Sequence, residues 1–393
     1  MTPTPLEQLM EVAQGKRALV VGVPASTSTV DRRFPLTPEG ASMLVARGLE
    51  VWIEKDGGSA IHYDDERYRR AGARIVSRAE ALGCDIVLHL PPITAGDARR
   101  LRRGALLLTL LHPDHQSADA LRVLLDRHIM SLALDLVTDR EGHRPFADVL
   151  DEIDGRAALA VASSLLADAR HGKGILLGGV AGVTACEVTV IGAGLAGVAA
   201  ARSAIGMGAL VRLLDTDIYR LRKAVRRLGP SSLVASAMHP RALVTALRTA
   251  DIVVSTPVSV PHLVGPEAVS EMKKGVVTFS LNDSGKPMFP TMLTVDLAAV
   301  RTPRQEADMD GRKICYINAG GAVPRTVAMA LSDTLVTMFG DILMCAGTLS
   351  NALKLHTGIQ RAAYTFMGKP THAGIANILG MRPVDISLLL QFS

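Results

Sequence analysis

The sequence predicts an α/β protein with two Rossmann-like, doubly wound parallel-sheet domains, joined by long helices and separated by an active-site cleft. Three observations support this fold class. Short apolar runs alternate with helical segments along both halves of the chain. The 393 residues exceed what one hydrophobic core commonly organises. A glycine-rich turn directly follows a strand-like run near the middle of the chain.

The first part of the chain predicts parallel strands separated by helices. Apolar runs predict strands at 17–23, 49–53, 85–90, 105–111 and 129–137, and helices are predicted at 65–71, 97–103 and 117–128. Thr37-Pro38 marks a helix start, because threonine caps a helix and proline suits its first position. The alternating order favours a parallel sheet covered by helices.

The second part begins with an alanine-rich helix, predicted from Val149 to Arg170, which connects the two modules. Strands are predicted at 188–191, 210–214, 251–255, 276–281 and 313–317, with a helix at 194–207. A final helix from Val327 to about Leu355 is long enough to return to the first module. We therefore predict one domain of residues 1–148 plus 327–393 and a second domain of residues 149–326.

Charge and hydropathy argue against nucleic-acid and membrane partners. The net charge of +5 comes from 43 basic and 38 acidic residues that are dispersed along the chain. Basic runs at 99–103 and 220–227 lie on predicted helices without interleaved aromatic residues, so we interpret them as solvated faces. The uncharged apolar stretch at 188–201 is too short to cross a bilayer. The N-terminus has no signal-peptide layout, which favours a cytoplasmic protein.

Cysteine and histidine spacing gives no indication of a metal site. The four cysteines contain no C-x-x-C pair, and reduced, buried thiols in a cytosolic protein are the simplest interpretation. His112 and His115 form an H-x-x-H, but no nearby residue completes a ligand set. We therefore predict no metal cofactor.

The glycine-rich turn has the context of a dinucleotide-binding loop. Its six residues follow the strand VTVI and open a helix: Gly192, Ala193, Gly194, Leu195, Ala196 and Gly197. The first glycine permits the turn, the second admits a pyrophosphate and the third lets helix and sheet pack closely. Asp215 ends the next strand, eighteen residues after Gly197, where a carboxylate binds the ribose hydroxyls of NAD. The predicted cofactor is NAD, although Arg212 and Arg220 leave NADP as an alternative.

Several separated motifs resemble those of the alanine dehydrogenase family, which includes the alpha subunit of proton-translocating transhydrogenase. GGVAGV at 178–183 and VTVIGAGLAG at 188–197 match its middle part. RFPLTPEG at 33–40 resembles the family's R-x-x-L-T-P-x-G, and NAGGAVPRT at 318–326 resembles N-M-P-G-A-V-P-R-T. THAG at 371–374 resembles T-H-E-G. These motifs occur in the family's order from about residue 18 to residue 383.

The resemblance implies specific roles for individual residues. Arg33 matches the arginine that binds the substrate carboxylate, a task that suits the bidentate guanidinium. His112 matches the histidine that transfers protons to and from the reacting oxygen. Asp283 matches the catalytic aspartate if a one-residue gap is allowed, and Asn318 matches an asparagine near the nicotinamide. The resemblance also implies that residues 149–326 form the NAD-binding domain and that residues 1–148 plus 327–393 form the substrate domain. It further implies a homo-oligomer, a hexamer in most members.

This chain departs from the family pattern around the expected pocket. The family carries K-V-K-E-P where this chain reads His89-Leu90-Pro91-Pro92, so both lysines are absent. Loss of one charge-assisted hydrogen bond costs about 1.5–3 kcal/mol, so another residue compensates or the substrate differs. His89 is a candidate substrate-binding replacement, although strand alternation leaves open the alternative that its side chain points away from the pocket.

The resemblance implies an NAD(H)-dependent amino-acid dehydrogenase that deaminates L-alanine or a related small amino or imino acid to a 2-oxo acid. A transhydrogenase-like NAD(H)-binding subunit is one alternative, although residues 138–144 lack that group's R-A-Q-S-x-D loop. A non-catalytic NAD(H)-binding protein is another, and the missing lysines support it.

Overall fold

The computed structural model describes residues 18–26, 33–229, 232–258, 264–281, 288–300, 313–345 and 357–391, without the side chains of 114 and 340–345. Fifteen strands in the described ranges form two sheets, and along the chain the second sheet lies between the two segments that form the first. The exact domain boundaries remain a prediction, but the division into two sheets follows the predicted order.

The first sheet has eight strands in the order β15-β14-β6-β5-β4-β1-β2-β3. Its strands are β1 Val20–Val23, β2 Glu50–Glu54, β3 Arg74–Val76, β4 Ile86–Leu88, β5 Leu106–Thr109, β6 Met130–Ala133, β14 Ala363–Phe366 and β15 Lys369–Pro370. Strands β1 to β6 are parallel, whereas β14 pairs antiparallel with β6 and with β15. The C-terminal segment therefore completes the sheet that the N-terminal segment begins.

Helices α1 to α5 connect the strands of the first sheet. They are α1 Pro38–Ala46, α2 Asp65–Arg70, α3 Arg78–Leu82, α4 Ala95–Ala98 and α5 Ala118–Asp126. Thr37 caps α1 by accepting a hydrogen bond from the Gly40 N–H, with Pro38 at the first position, as the sequence predicts. Strands β1, β4, β5 and β6 are buried along their whole length, as expected for parallel strands covered on both faces.

The second sheet has seven parallel strands in the order β12-β13-β11-β10-β7-β8-β9. Its strands are β7 Glu187–Ile191, β8 Leu210–Asp215, β9 Leu233–Ala237, β10 Ile252–Ser255, β11 Val277–Ser280, β12 Leu293–Asp296 and β13 Ile314–Ile317. Helices α7 Leu195–Gly206, α8 Ile218–Leu228, α9 Pro240–Thr249 and α10 Pro266–Ser270 lie between them. The order reverses direction at β7, and such a switch point creates a ligand crevice at the carboxyl ends of the strands.

Two long helices join the sheets. Helix α6, Pro145–Ala167, leads from the first to the second and packs along α7. A methyl group on Gly155 of α6 would lie 2.2 Å from the Ala196 carbonyl oxygen, so the two helix backbones are nearly in contact. Helix α11, Pro324–Cys345, returns to the first sheet, where Ser332 hydrogen-bonds Thr37. Short helices α12 Thr357–Gln360, α13 Ala373–Leu379 and α14 Ile386–Leu390 follow.

Some predicted elements differ from the structure. The basic run at 99–103 was predicted to be helical, but α4 ends at Ala98 and these arginines occupy the following turns. The strand predicted at 129–137 ends at Ala133, where a 3-10 turn at Leu134–Leu136 begins. Strands β9, β12, β14 and β15 lack a long apolar run and were not predicted.

The described residues contain no cluster of histidine, cysteine, aspartate or glutamate suited to a metal ion. Within the same ranges, no helix combines the length and apolar character needed to cross a membrane. Cys84, Cys186 and Cys315 are free and buried. Burial raises the pKa of the Cys84 and Cys315 thiols to about 12, which keeps both in the unreactive thiol form.

Candidate functional site

The glycine turn after β7 has the geometry that a dinucleotide requires. Gly192 has a φ of 99°, which disfavours residues with a side chain. A methyl group on Gly197 would lie 1.8 Å from the Gly192 carbonyl oxygen, so only glycine lets the helix approach the turn this closely. A methyl group on Gly194 would meet only the Arg220 guanidinium, at 2.7 Å. The three glycines therefore fit their predicted roles in holding a pyrophosphate.

Helix α7 presents its amino end at this turn. Gly194 is its N-cap and supplies no side-chain cap, which leaves backbone N–H groups available to an anion. Leu195 is partly exposed, whereas the Ala196 side chain is buried against the sheet. The arrangement suits a phosphate bound by backbone N–H groups and the helix dipole.

Asp215 lies at the carboxyl end of β8, as predicted, but it is fully buried. Its carboxylate accepts hydrogen bonds from the Ala193 N–H at 2.6 Å and the Asp217 N–H at 2.8 Å. Arg220 approaches the same carboxylate, with Nη1 3.9 Å from Oδ2. Asp215 thus holds the glycine turn in place, and its contact with a cofactor ribose remains a prediction.

His112 follows β5 and has a left-handed backbone with φ 39° and ψ 58°. This conformation is uncommon for a residue with a side chain and costs about 1–3 kcal/mol, so the surrounding contacts must maintain it. The Leu111 N–H donates to Asp135 at 2.9 Å, and Gln116 Nε2 donates to the Leu111 carbonyl at 2.8 Å. Maintained backbone strain at a strand end is typical of functional sites.

His89 follows β4, the strand beside β5, so it reaches the same sheet edge as His112. Its side chain is almost completely buried, and its N–H donates to the Leu108 carbonyl. His89 is therefore a buried polar residue at the carboxyl edge of the first sheet.

A partly buried ion-pair network lies within electrostatic range of His89. Arg78 contacts Asp97 through two hydrogen bonds of 3.2 and 2.7 Å and contacts Glu54 at 2.9 Å. Glu54 and Arg78 also bind the N–H and carbonyl of Ala25. Burial opposes ionisation of Asp97, but the hydrogen bonds and charge of Arg78, with a smaller contribution from His89, lower its pKa overall. The network therefore anchors Ala25, two residues after the end of β1.

Asn318 follows β13 and is the second predicted site residue with a left-handed backbone, at φ 57°. Its Nδ2 donates to Asp296 at 3.3 Å. The Gly320 N–H of the same motif donates to Asp154 on α6, and the Arg325 guanidinium lies 4.6 Å from the Tyr63 ring centroid. The motif at 318–326 therefore contacts elements of both sheets.

Two predicted residues are described less fully. Arg33 is half-buried and precedes Phe34 and Leu36, which lie in the core of the first sheet. Asp283 lies outside the described residues.

The described site residues lie at the carboxyl edges of the two sheets. His89 and His112 share the carboxyl edge of the first sheet. Asn318 shares the carboxyl edge of the second sheet with the glycine turn.

The sequence yielded no prediction for Asp135, Gln116 or the Arg78–Asp97 pair. Asp135 lies two residues after the buried strand β6, and a charged residue close to a strand's carboxyl end is the signal that could have identified it. Gln116 gives no comparable signal, because its contact depends on the turn conformation at 112–115.

Two family models match the chain. The model described as "Alanine dehydrogenase/PNT, N-terminal domain" matches residues 22–150, and "Alanine dehydrogenase/PNT, C-terminal domain" matches residues 158–373. The alanine dehydrogenase of Staphylococcus saprophyticus is 28% identical over 378 residues, which cover 95% of this chain and 100% of the relative. The alanine dehydrogenase of Bilophila wadsworthia is 29% identical over 372 residues, which cover 92% of this chain and 97% of the relative.

Solved structures share the fold. An L-alanine dehydrogenase superposes with a TM-score of 0.80 at 23% identity, covering 92% of this chain and 99% of that chain. A transhydrogenase from Sinorhizobium meliloti superposes with a TM-score of 0.71 at 21% identity, covering 90% of this chain and 99% of that chain.

Proposed function

The chain belongs to the alanine dehydrogenase/PNT family of oxidoreductases, and from this premise we propose that it is an NAD(H)-dependent amino-acid dehydrogenase. The proposed reaction converts a small L-amino acid, NAD⁺ and water into a 2-oxo acid, ammonium, NADH and a proton. L-Alanine and related small amino or imino acids are the proposed substrates.

The glycine turn supports the choice of cofactor. Gly197 leaves no room for a side chain, Gly192 has a positive φ, and the amino end of α7 lacks a side-chain cap. These features fit a bound pyrophosphate. When bound, NAD⁺ supplies the acceptor for the hydride that leaves the α-carbon of the substrate. Asp215 favours NAD over NADP, since a buried carboxylate repels a 2′-phosphate.

The match to both family models is the observation that supports the reaction type, and the position of His112 at the carboxyl edge of the first sheet fits the role proposed for it. In this proposal, Arg33 binds the substrate carboxylate and His112 accepts a proton when water adds to the imine carbon. His112 then returns a proton to the departing amine as the carbonyl forms. Asp283 assists proton transfer, and Asn318 orients the nicotinamide end of the cofactor.

His89 offers an account of the missing lysines. It is buried at the sheet edge that it shares with His112, within the electrostatic reach of Asp97. We propose that His89 donates a hydrogen bond to the substrate carboxylate alongside Arg33. A histidine side chain is shorter and bulkier than that of lysine. The substrates to be tested therefore include 2-oxo acids both smaller and larger than pyruvate.

Exposed apolar residues support a homo-oligomer, which we propose by family resemblance to be a hexamer. Leu176, Val180 and Val183 lie on a surface hairpin with exposed fractions of 69%, 58% and 64%. Apolar side chains clustered on a surface commonly mark a protein interface. Sedimentation velocity tests the proposal, and a monomer at micromolar concentrations would contradict it.

The decisive experiment follows NADH oxidation with pyruvate, glyoxylate and larger 2-oxo acids in the presence of ammonium. NAD⁺ reduction with the corresponding L-amino acids is measured in parallel. We expect turnover with at least one small 2-oxo acid and its loss in His112→Gln. NADH binding without any turnover, in either direction, would contradict the dehydrogenase and favour a transhydrogenase-like subunit or a non-catalytic NAD(H)-binding protein.

A further inference from the structure

The turn that carries His112 has a conformation that its local sequence does not favour. His112 precedes Pro113, and a residue before proline disfavours helical backbone conformations. The observed left-handed conformation is therefore not the local preference of the chain. Contacts with neighbouring residues must stabilise it.

Both peptide groups that flank the His112 α-carbon accept hydrogen bonds. The Leu111 carbonyl, in the preceding peptide, accepts from Gln116 Nε2 at 2.8 Å. The His112 carbonyl, in the following peptide, accepts from the His115 N–H at 3.0 Å. Because φ and ψ describe rotation of these two peptide planes about the α-carbon, the bonds restrict both angles of His112.

Asp135, in the 3-10 turn that follows β6, holds Leu111, the residue before His112. Its Oδ1 accepts the Leu111 N–H at 2.9 Å, so Leu111 is held at its N–H by Asp135 and at its carbonyl by Gln116. Asp135 also lies within electrostatic range of His372 of the THAG motif and of the buried Tyr364. His372 accepts the Gly374 N–H and caps α13. The C-terminal motif is therefore close to the residue that holds Leu111.

We propose that Gln116 and Asp135 are positioning residues that hold His112 in the orientation needed for proton transfer. Neither residue transfers the proton in this proposal. Gln116 acts as a hydrogen-bond donor to the Leu111 carbonyl, and Asp135 acts as an acceptor for the Leu111 N–H. The inference rests on the proposed function of His112, but the orientation itself is measurable without turnover.

The test uses full-length protein labelled with ¹³C,¹⁵N-histidine, with the His112 ring signals assigned from their absence in His112→Gln. Gln116→Met keeps the length of the side chain and removes the donor. Ser117→Ala is the matched control, because exposed Ser117 makes no capping hydrogen bond on the same turn. Asp135→Asn retains an acceptor oxygen, whereas Asp135→Ala removes it.

We expect Gln116→Met and Asp135→Ala to shift the His112 ring signals and to lower kcat roughly 10- to 100-fold, as for a misplaced catalytic group. The Kd for NADH and the KM for the 2-oxo acid should change by less than about threefold, because the binding groups remain. Asp135→Asn should restore most of kcat, and Ser117→Ala should match the wild type.

Unchanged His112 signals and kcat in folded Gln116→Met would overturn the proposal. Failure of Asp135→Asn to restore kcat would overturn the role of Asp135 as a hydrogen-bond acceptor. If wild-type protein shows no turnover, the proposed function fails and the ring signals alone decide the positioning role. Should Asp135→Ala not fold, Gln116→Met still decides the outcome.

Discussion

At the residue scale, the site depends on positions where a particular backbone geometry is required. His112 and Asn318 have left-handed backbones at strand ends, and Gly192 has a positive φ that opens the cofactor turn. Gly197 is constrained differently, because a methyl group would collide with a backbone oxygen that cannot rotate away. Each of these residues is explained by its location in the fold rather than by its side-chain chemistry alone.

Replacement of Gly197 by alanine tests the close approach of α7 to the turn. A methyl group 1.8 Å from the Gly192 carbonyl forces the helix to move, and overpacking of this kind costs about 1–3 kcal/mol. We expect a lower Tm and at least tenfold weaker NADH binding, measured by differential scanning fluorimetry and fluorescence titration. The tenfold loss corresponds to about 1.4 kcal/mol of binding free energy.

Gly206→Ala is the matched control for Gly197→Ala. Gly206 ends the same helix, and no heavy atom lies within 4 Å of the added methyl group. Alanine is favoured over glycine in helices by up to about 1 kcal/mol, so Tm should stay constant or rise. Equal losses of NADH affinity in the two variants would show that close packing at Gly197 is not the cause.

At the element scale, the contact between α6 and α7 links the connecting helix to the cofactor turn. Gly155 on α6 faces the Ala196 carbonyl and the Ala200 N–H on α7. Ala196 lies in the first turn of α7, where the phosphate-binding N–H groups are expected. A change in the packing of α6 therefore displaces the amino end of α7.

Gly155→Ala tests this coupling between elements. Helix propensity alone predicts a gain of about 1 kcal/mol, whereas the 2.2 Å approach to Ala196 predicts a loss of about 1–3 kcal/mol. We expect the loss to dominate, with a lower Tm and weaker NADH binding in calorimetric titration. Ala160→Leu, at an exposed position of the same helix, should leave both values unchanged. A Tm higher than that of the wild type in Gly155→Ala would show that α6 and α7 are not tightly packed at this position.

At the scale of the whole molecule, each sheet carries a network of partly buried ion pairs. Arg78 joins Asp97 and Glu54 beside the first sheet. Lys173 and Lys273 both contact Asp251 at 3.0 Å beside the second. Burial opposes ionisation of Asp251, but its hydrogen bonds to the two lysines lower its pKa overall, as Arg78 does for Asp97.

These shifts predict how the stability of the protein depends on pH. A carboxyl with a lower pKa in the folded state stabilises the protein above its unfolded pKa of about 3.9, and this stability is lost as pH falls through the folded value. We expect Tm to fall steeply below about pH 4. Asp251→Asn should make Tm fall less steeply as the pH decreases. Asp119→Asn, at an exposed helix position, should leave the dependence of Tm on pH unchanged. A slope unchanged by Asp251→Asn would contradict a contribution from this network.

The α/β class, the Thr37 cap and the glycine turn could be predicted from the sequence alone, because they follow from local periodicity and from the steric properties of single residues. Strands β14 and β15 were missed, since their place beside β6 depends on contacts between segments more than 200 residues apart. Only the tertiary structure placed Asp135 and Gln116 around the His112 turn and Arg78 beside Asp97. Hydrogen bonds and charge pairs between distant side chains leave no periodic pattern in a sequence, whereas helices, strands and tight turns do.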